Sequence, residues 1–473
     1  MKKIKIVISD KIYENLKKAL EWDGRERAAY MLCHSTIYKQ QVKLLPYKVI
    51  IPEEKDYVHR SAGYYKVDKP FVNKLVNSAV NSQTHIIQCH IHPDNPGIFS
   101  SVDEQKEPPF MRHIAENVEG IYHGSMVFGN AMDTIDGWFY DRDTDSVIPI
   151  EKVIVIGKTQ MKVIIPHGSP LKGVKISPCL DRTVKAFGKD AVKMLSFLDF
   201  GIVGASALGA PILKFLARDN VQSIFICDPD VITETNLNRL PVTTLSDIGK
   251  PKVEFYAEHI NRISSKVSVK AFQNSFYEEK VQEAYAHADI IFGCVDSGAR
   301  LSINRLCMAN LIPYFDLGAT IRLENGKPSF VGGQVFSIIP GRKACLSCTG
   351  VFDNLLQEFN SPDEQKQNRL QGYLNDGDTD APLVHFLDNI ICGFGYSQML
   401  RYIWGTDEKE IFSAKCSIFQ DKIVVYECQD TGCINCEPTG YLGKGDKAPF
   451  MIPKENYEID FSKIHIDRID NQN

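Results

Sequence analysis

No stretch of this 473-residue chain reaches 18 consecutive apolar residues, so no helix read from it spans a bilayer. Surplus charge is missing too. Lys and Arg total 54 against 59 Asp and Glu, a net charge of −5 that is too mild for nucleic acid or a membrane surface as main partner. The basic start is followed by an apolar run that stops at Ile8, too short for a signal peptide and suited to a first strand. Repeats and low-complexity tracts are absent, which excludes solenoids and linker-like arrays. With 44% hydrophobic and 24% charged residues, the chain is neither disordered nor collagen-like. Thirteen cysteines, an odd count with no export signal, suit a reducing cytoplasm. Clustered cysteines are therefore expected to bind metal or do chemistry before they form disulfides.

At about 150 residues per domain, two or three domains are expected. Strand-like runs (Ile4–Ile8, Ile86–His92, Val153–Ile156, Phe200–Val203, Ser223–Cys227, Asp289–Cys294) alternate with helix-like ones (Tyr13–Glu21, Val72–Val80, Pro211–Asp219, Val253–Ile263). Such alternation means an α/β architecture. Between Lys158 and Pro178 the residues Pro166, Gly168, Pro170, Gly173 and Pro178 give the texture of a connector. The expected division is a domain over 1–156, a linker over 157–180, a second domain over 181–445 and a tail over 446–473. A polar stretch, Asn360–Pro382, interrupts the second domain.

In the first domain, Gln88-Cys-His90-Ile-His92 precedes a break at Pro93, Pro96 and Gly97, then Ser100-Ser-Val-Asp103. Residues two apart on a strand share a face, so His90 and His92 point one way while Cys89 and Ile91 face the core. Ser100 or Ser101 caps a helix with Asp103 in its first turn. A strand end and a helix start can bring two imidazoles and a carboxylate onto one ion. Three protein ligands with a fourth position left for water is the pattern of a catalytic zinc. The spacing H-x-H-x7-S-x2-D resembles the signature of the JAB/MPN (JAMM) metallopeptidases. That resemblance implies a JAB/MPN α/β domain, zinc on His90, His92 and Asp103, Ser100 at the oxyanion, and an upstream glutamate as base. Glu26 heads Glu-Arg-Ala-Ala-Tyr-Met-Leu-Cys33 and resembles that glutamate, with Ala29 and Cys33 where the family usually has glycine. Glu21, in a helix-like stretch, is the rival. The expected reaction is hydrolysis of a peptide or isopeptide bond.

The second domain opens with Phe200-Gly-Ile-Val-Gly204-Ala-Ser206-Ala-Leu-Gly209, then a helix, then a strand ending at Asp228. Asp228 lies 19 residues after Gly209, near the spacing at which a Rossmann acidic residue meets ribose hydroxyls, and Ser206 stands where a middle glycine would be. Together with Asn236, Arg239, Gly249-Lys-Pro-Lys252 and Gly293-Cys-Val-Asp296, this resembles the ThiF/MoeB/HesA family, the adenylation module shared with ubiquitin-activating enzymes. The resemblance implies a Rossmann-like domain with a mainly parallel sheet. Gly204, Ser206 and Gly209 would hold ATP, Asp228 its ribose, Asn236, Arg239 and Lys252 its triphosphate, and Asp296 magnesium. Arg182 resembles the family's arginine that reaches into a neighbouring subunit's ATP site, which implies a homodimer. A carboxylate attacking the α-phosphate must overcome charge repulsion, and cationic groups with Mg2+ supply that.

Cys345-Leu-Ser-Cys348 and Cys433-Ile-Asn-Cys436 are two C-x2-C knuckles separated by 84 residues, the pattern of a closed structural zinc. Thr349–Ile391 holds no cysteine for a thioester, and Cys392 lies in an apolar helix-like run where a buried small side chain is expected. Cys33, Cys89, Cys179, Cys227 and Cys294 are expected mostly on core strands, and Cys416 and Cys428 in strand-like stretches near the second knuckle. Both resembled families act on the C-terminal tail of a ubiquitin-like protein, usually ending Gly-Gly. The expected function is therefore twofold: to process or deconjugate such a protein and to adenylate its carboxylate, in a bacterial ubiquitin-like conjugation pathway of which antiphage defence is one context. A conjugating enzyme or a sulfur donor would take the activated carboxylate. The alternatives are an activator of a sulfur carrier in cofactor or amino-acid biosynthesis, and a non-catalytic scaffold that binds a ubiquitin-like protein.

Overall fold

The computed structural model describes residues 2–92, 97–118, 122–295, 298–349, 384–406, 409–427 and 432–452. Asp296, Cys428, the stretch Asn360–Pro382 and the tail beyond residue 452 lie outside the described residues. Two compact units result, one from 1–157, 161–175 and 443–447, the other from 158–160, 176–442 and the residues after 447. Part of the segment read as a linker is thus regular structure, and residues 443–447 group with the first unit. No described helix is long and apolar enough to cross a membrane.

In chain order the first unit holds β1 (Lys3–Ser9), α1 (Asp10–Ala19), β2 (Ala28–Tyr38), β3 (Gln41–Ile50), β4 (Tyr57–Arg60), β5 (Tyr65–Val67) and α2 (Lys69–Ser82). It continues with β6 (His85–His92), α3 (Ser101–Asn117), β7 (His123–Gly129), β8 (Ile135–Asp141), β9 (Ser146–Ile156) and β10 (Met161–Ile164). The sheet runs β1-β3-β2-β6-β7-β8-β9, and β9 also pairs with β1, so seven strands close on themselves and β10 flanks β9. Orientation is mixed: β1 runs parallel to β3 and β9, and β6 to β7. Closure removes the open edges that a sheet must otherwise protect.

Alternation along the strands explains which side chains go where. On β2, Ala29, Met31 and Cys33 join one apolar cluster with α1, while Ala28, Tyr30 and Leu32 join another with α2 and α3. On β6, Ile87, Cys89 and Ile91 enter the first cluster. Gln88, His90 and His92 therefore share the opposite face. α2 begins where Asp68 caps it by accepting the Phe71 N–H at 2.8 Å. Inside α3, Pro108 and Pro109 remove two helical N–H donors, those that would reach the carbonyls of Glu104 and Gln105.

The second unit contains α4 (Asp181–Phe187), α5 (Lys189–Leu195), β11 (Asp199–Val203), α6 (Gly209–Arg218), β12 (Ser223–Cys227), α7 (Lys252–Ile263), β13 (Ser268–Phe272), α8 (Glu279–Tyr285) and β14 (Ile290–Gly293). After α9 (Ala299–Ala309) come β15 (Tyr314–Glu324), β16 (Lys327–Ile338), α10 (His385–Trp404), β17 (Ile411–Ser417) and β18 (Lys422–Glu427). The sheet order is β13-β12-β11-β14-β15-β16-β17-β18. Its first five strands are parallel and its last four pair antiparallel, so the sheet is mixed rather than mainly parallel. Strands β11, β12 and β14 are wholly or almost wholly buried, as the apolar runs of a parallel sheet covered on both faces should be.

Candidate functional site

In the first unit the sequence-expected residues converge. Donor atoms of His90, His92 and Asp103 all lie within 4.8 Å of one another. Asp103 Oδ2 is 3.6 Å from His90 Nε2 and 3.4 Å from His92 Nε2. Glu26 Oε1 lies 3.5 Å from His92 Nε2. The rival Glu21 is exposed just beyond α1 and makes no hydrogen bond or ion pair with this group among the described residues. Ser100 is the cap of α3: its hydroxyl donates to Asp103 Oδ2 at 2.7 Å and accepts the Asp103 N–H at 3.3 Å. Glu26 is fixed through its backbone, its N–H donating to the Ser61 carbonyl at 2.7 Å and its own carbonyl accepting Arg60 Nε at 2.8 Å. Arg60 is itself anchored to Asp23 and Glu54, so the β4–β5 hairpin holds the glutamate in place.

Electrostatics sharpen the picture. Burial pushes the Glu26 carboxyl up to about 7. Against its own burial, Asp103 is held well below the usual carboxylate range by His90 and by the hydrogen bonds from Ser100. His90 is wholly buried, and its imidazole is raised despite desolvation because Glu107 and Asp103 flank it. His92 Nδ1 lies 3.1 Å from the Ile98 carbonyl, a contact that requires a proton on Nδ1 and leaves a lone pair on Nε2. Lone pairs on imidazole nitrogens and a carboxylate oxygen that face one another in a buried pocket repel without a cation between them. The donor set, two imidazoles and one carboxylate, fits a zinc ion with an open position.

Sequence reasoning missed two members of this cluster. Glu107, buried on α3, places Oε1 3.3 Å from His90 Nδ1, and Gln88 Nε2 donates to that oxygen at 2.7 Å. The available signal was spacing: Glu107 follows Asp103 by one helical turn, and Gln88 shares the strand face of His90.

The second unit builds its cluster from backbone. Strand order reverses between β11 and β14, the switch point at which open α/β sheets take ligands. Gly204 follows β11 with φ +92°, and a Cβ there would meet the Cys294 carbonyl, which follows β14, at 2.6 Å. A Cβ on Gly209 would stand 1.8 Å from the Gly204 carbonyl. Ser206, half-buried, accepts the Ala210 N–H through its carbonyl at 2.9 Å. Asp228, at the end of β12, accepts the Ala205 N–H at 2.8 Å and the Asp230 N–H at 2.9 Å. Burial raises its carboxyl, opposed by Lys252, whose Nζ lies 3.8 Å away and 2.8 Å from Asp230. Asn236 caps its own turn, accepting the Thr233 N–H at 3.3 Å, and Arg239 donates to the Thr235 carbonyl at 3.0 Å. Arg182 is exposed on α4 and makes no hydrogen bond or ion pair with this group among the described residues. Asp296 belongs by sequence two residues beyond Cys294 and lies outside the described residues.

The four knuckle cysteines also meet. Sγ separations are 3.9 Å for Cys345–Cys348, 3.6 Å for Cys345–Cys433, 3.6 Å for Cys348–Cys436 and 3.7 Å for Cys433–Cys436. A tetrahedron with Zn–S bonds of about 2.3 Å has edges of about 3.8 Å, so the thiols fit that geometry. Cys392 is buried on α10 with Sγ 2.9 Å from the Leu208 carbonyl, and burial raises its thiol well above the ordinary value. Cys33, Cys89, Cys227 and Cys294 are buried as expected, whereas Cys179 is exposed ahead of α4.

Residues 180–411 match the ThiF family and form a ThiF-type domain. The chain is 27% identical over 180 residues to the SAMP-activating enzyme E1 of Haloferax volcanii, covering 33% of this chain and 67% of that protein. It is 28% identical to the sulfur carrier protein ThiS adenylyltransferase of Escherichia coli, covering 31% of this chain and 56% of that one. A NEDD8-activating enzyme E1 catalytic subunit of Arabidopsis thaliana is 34% identical over 31% of this chain and 34% of its own length. Among solved structures, E. coli MccB with MccA-N7isoASN covers 55% of this chain and 76% of that chain at 17% identity and a TM-score of 0.46.

Proposed function

We propose that this chain activates the C-terminal carboxylate of a ubiquitin-like protein by ATP-dependent adenylation, and that its first unit hydrolyses peptide or isopeptide bonds of the same partner in the manner of the JAB/MPN metallopeptidases. One observation carries the adenylation reading: a ThiF-type domain whose glycine turn, closed to any Cβ, sits at the switch point beside Asp228 and Lys252. In this reading Gly204, Ser206 and Gly209 cradle phosphates with backbone, and Asp228 meets the ribose. Lys252, Arg239 and Asn236 face the triphosphate, with Lys252 exchanging Asp230 for it. Asp296 would hold Mg2+, and Arg182 would complete the site of a partner copy in a homodimer. The substrate carboxylate displaces pyrophosphate from the α-phosphate.

The hydrolase reading rests on the convergence of His90, His92 and Asp103 with Glu26 alongside. A zinc ion held by those three residues would polarise the scissile carbonyl and make water a nucleophile near neutral pH. Glu26, poised near neutrality, accepts the proton at Oε1 and passes it to the leaving amine. Ser100 gives its hydroxyl proton to Asp103 here and reaches the oxyanion only by turning away from it. The four cysteines would hold a structural zinc that ties 433–436 to 345–348.

One observation favours the sulfur-carrier variant, in which the acyl-adenylate goes to a sulfur donor rather than to a cysteine of this chain. Residues 350–391 contain no cysteine, and Cys392 is buried with a raised thiol. Pyrophosphate exchange and cleavage assays with a panel of ubiquitin-like proteins ending in Gly-Gly test the proposal. Asp296→Ala should abolish exchange and spare cleavage, and His90→Ala/His92→Ala should do the reverse. A thiol-sensitive adduct between chain and substrate would overturn the non-covalent route. Absence of both activities would leave the scaffold.

A further inference from the structure

We propose that Glu107 is a positioning residue for the metal centre of the first unit, fixing His90 in the tautomer whose Nε2 can bind a cation. The inference rests on the zinc reading above and extends it to a residue outside the ligand set.

His90 presents a problem of proton placement. Its ring is completely buried, and neither nitrogen has a hydrogen-bond partner of good geometry among the described residues. Glu107 Oε1 stands 3.3 Å from Nδ1, and Asp103 Oδ2 stands 3.6 Å from Nε2. A neutral imidazole has a single proton to give to two carboxylates. On Nε2, the proton would satisfy Asp103, turn a Nδ1 lone pair on Glu107 and block metal binding. On Nδ1, it would satisfy Glu107 and turn the Nε2 lone pair towards Asp103 and His92, the arrangement that a cation resolves. The shorter contact is the one to Glu107.

The two histidines thus receive the same instruction from different sources. For His92 the Nδ1 acceptor is a backbone carbonyl, that of Ile98 at 3.1 Å. For His90 no backbone carbonyl is offered among the described residues, and a side chain from α3 takes its place. Glu107 is held for that task by Gln88, whose Nε2 donates to the same Oε1 at 2.7 Å. Its other oxygen makes no hydrogen bond of good geometry among the described residues, although the Ser125 hydroxyl lies close enough to favour the carboxylate. Carboxylate–histidine–metal arrangements of this kind orient the ring and raise its basicity.

The test uses the full chain, stripped of metal and titrated with zinc against a chromophoric chelator. His90→Ala/His92→Ala defines the uptake that belongs to the four cysteines. Glu107→Ala should weaken the remaining uptake by about 10–100-fold. Glu107→Gln keeps an amide oxygen that accepts from Nδ1–H and should recover most of that loss. Nitrogen–proton NMR of the metal-free, histidine-labelled chain should show His90 protonated on Nδ1 in the wild type and shifted towards Nε2 in Glu107→Ala. Wild-type zinc affinity in Glu107→Ala would overturn the assignment. So would equal losses in both variants with an unchanged tautomer, which would mark a merely structural residue. If the wild type takes up no more zinc than His90→Ala/His92→Ala, the metal centre itself fails, a result distinct from either.

Discussion

The two polar clusters are built in opposite ways. In the first unit the chemistry belongs to side chains: two imidazoles and three carboxylates crowd a buried pocket, held by a helix cap, a hairpin and a strand face. In the second, the turn between β11 and α6 is defined by side chains that are missing, at Gly204 and Gly209, and its flanking Asp228 is tied down by backbone N–H groups. A side-chain site depends on protonation and tolerates small backbone adjustments. A backbone cradle is indifferent to protonation and intolerant of a single methyl group. The two should therefore fail under different insults.

The largest effect is expected at Gly209. An alanine Cβ 1.8 Å from the Gly204 carbonyl cannot be accommodated without moving the turn or the start of α6. Gly209→Ala should destabilise the second unit by more than about 4 kcal/mol or displace the turn, and pyrophosphate exchange should vanish. Zinc uptake at His90, His92 and Asp103 should be unchanged. Calorimetry with two resolved transitions checks this. Retained exchange would show that the turn is not the phosphate cradle.

Acid should act on the other unit first. Burial lowers the imidazoles of His34 and His123 to about 3 and of His85 to about 4. His123 Nδ1 accepts the Ile86 N–H at 3.1 Å, a bond that protonation there destroys. In the unfolded chain these groups titrate near their ordinary value of about 6.5. Below it the unfolded state binds protons that the native state refuses. Native stability is therefore full above about pH 6.5 and is lost as the pH falls towards 4. In the metal-free chain, amide exchange along β6 and β7 should accelerate over that window while β11 and β14 stay protected. Equal loss in both units would break the contrast, and His85→Gln/His123→Gln should flatten the slope.

How much of this was legible in the sequence follows the same division. The clustered residues His90, His92 and Asp103 sit within 14 residues of one another, and alternation along one strand plus one helix cap was enough to join them. Glu107 lay only four residues on and went unread, because the helix face that meets β6 is set by packing of Met111 and Ile114, not by local pattern. Closure of the first sheet depends on β1 lying beside β9, a pairing of Ile4–Ser9 with Ile150–Ile156 that no window of sequence contains. The antiparallel strands β15–β18 went unread for a related reason. Their outer halves carry exposed Leu323, Ile423, Val425 and Tyr426, so neither a buried run nor a clean alternation marks them. In the second unit the glycine turn was legible as a pattern, but the partner of Lys252, Asp230, emerged only from the fold.

The smallest expected effect separates glycines that make a site from glycines that merely occupy a helix. On α10, Gly395 packs so closely that a Cβ would stand 2.3 Å from Leu317 Cδ2, whereas Gly393, two residues earlier, would meet nothing within 4 Å among the described residues. Mid-helix glycine is less favourable than alanine by about 0.5–1 kcal/mol, largely through the entropy of the unfolded chain. Gly393→Ala should therefore stabilise the second unit by about that amount and raise its melting temperature by a few degrees, while Gly395→Ala lowers it. Exchange activity should not change in Gly393→Ala, because nothing in the turn or around Asp228 touches that position. If the variant melts higher and yet activates its substrate less well, the open space at Gly393 belongs to a docking partner. The division between a backbone-built site and a passive helix would then have to be redrawn along α10.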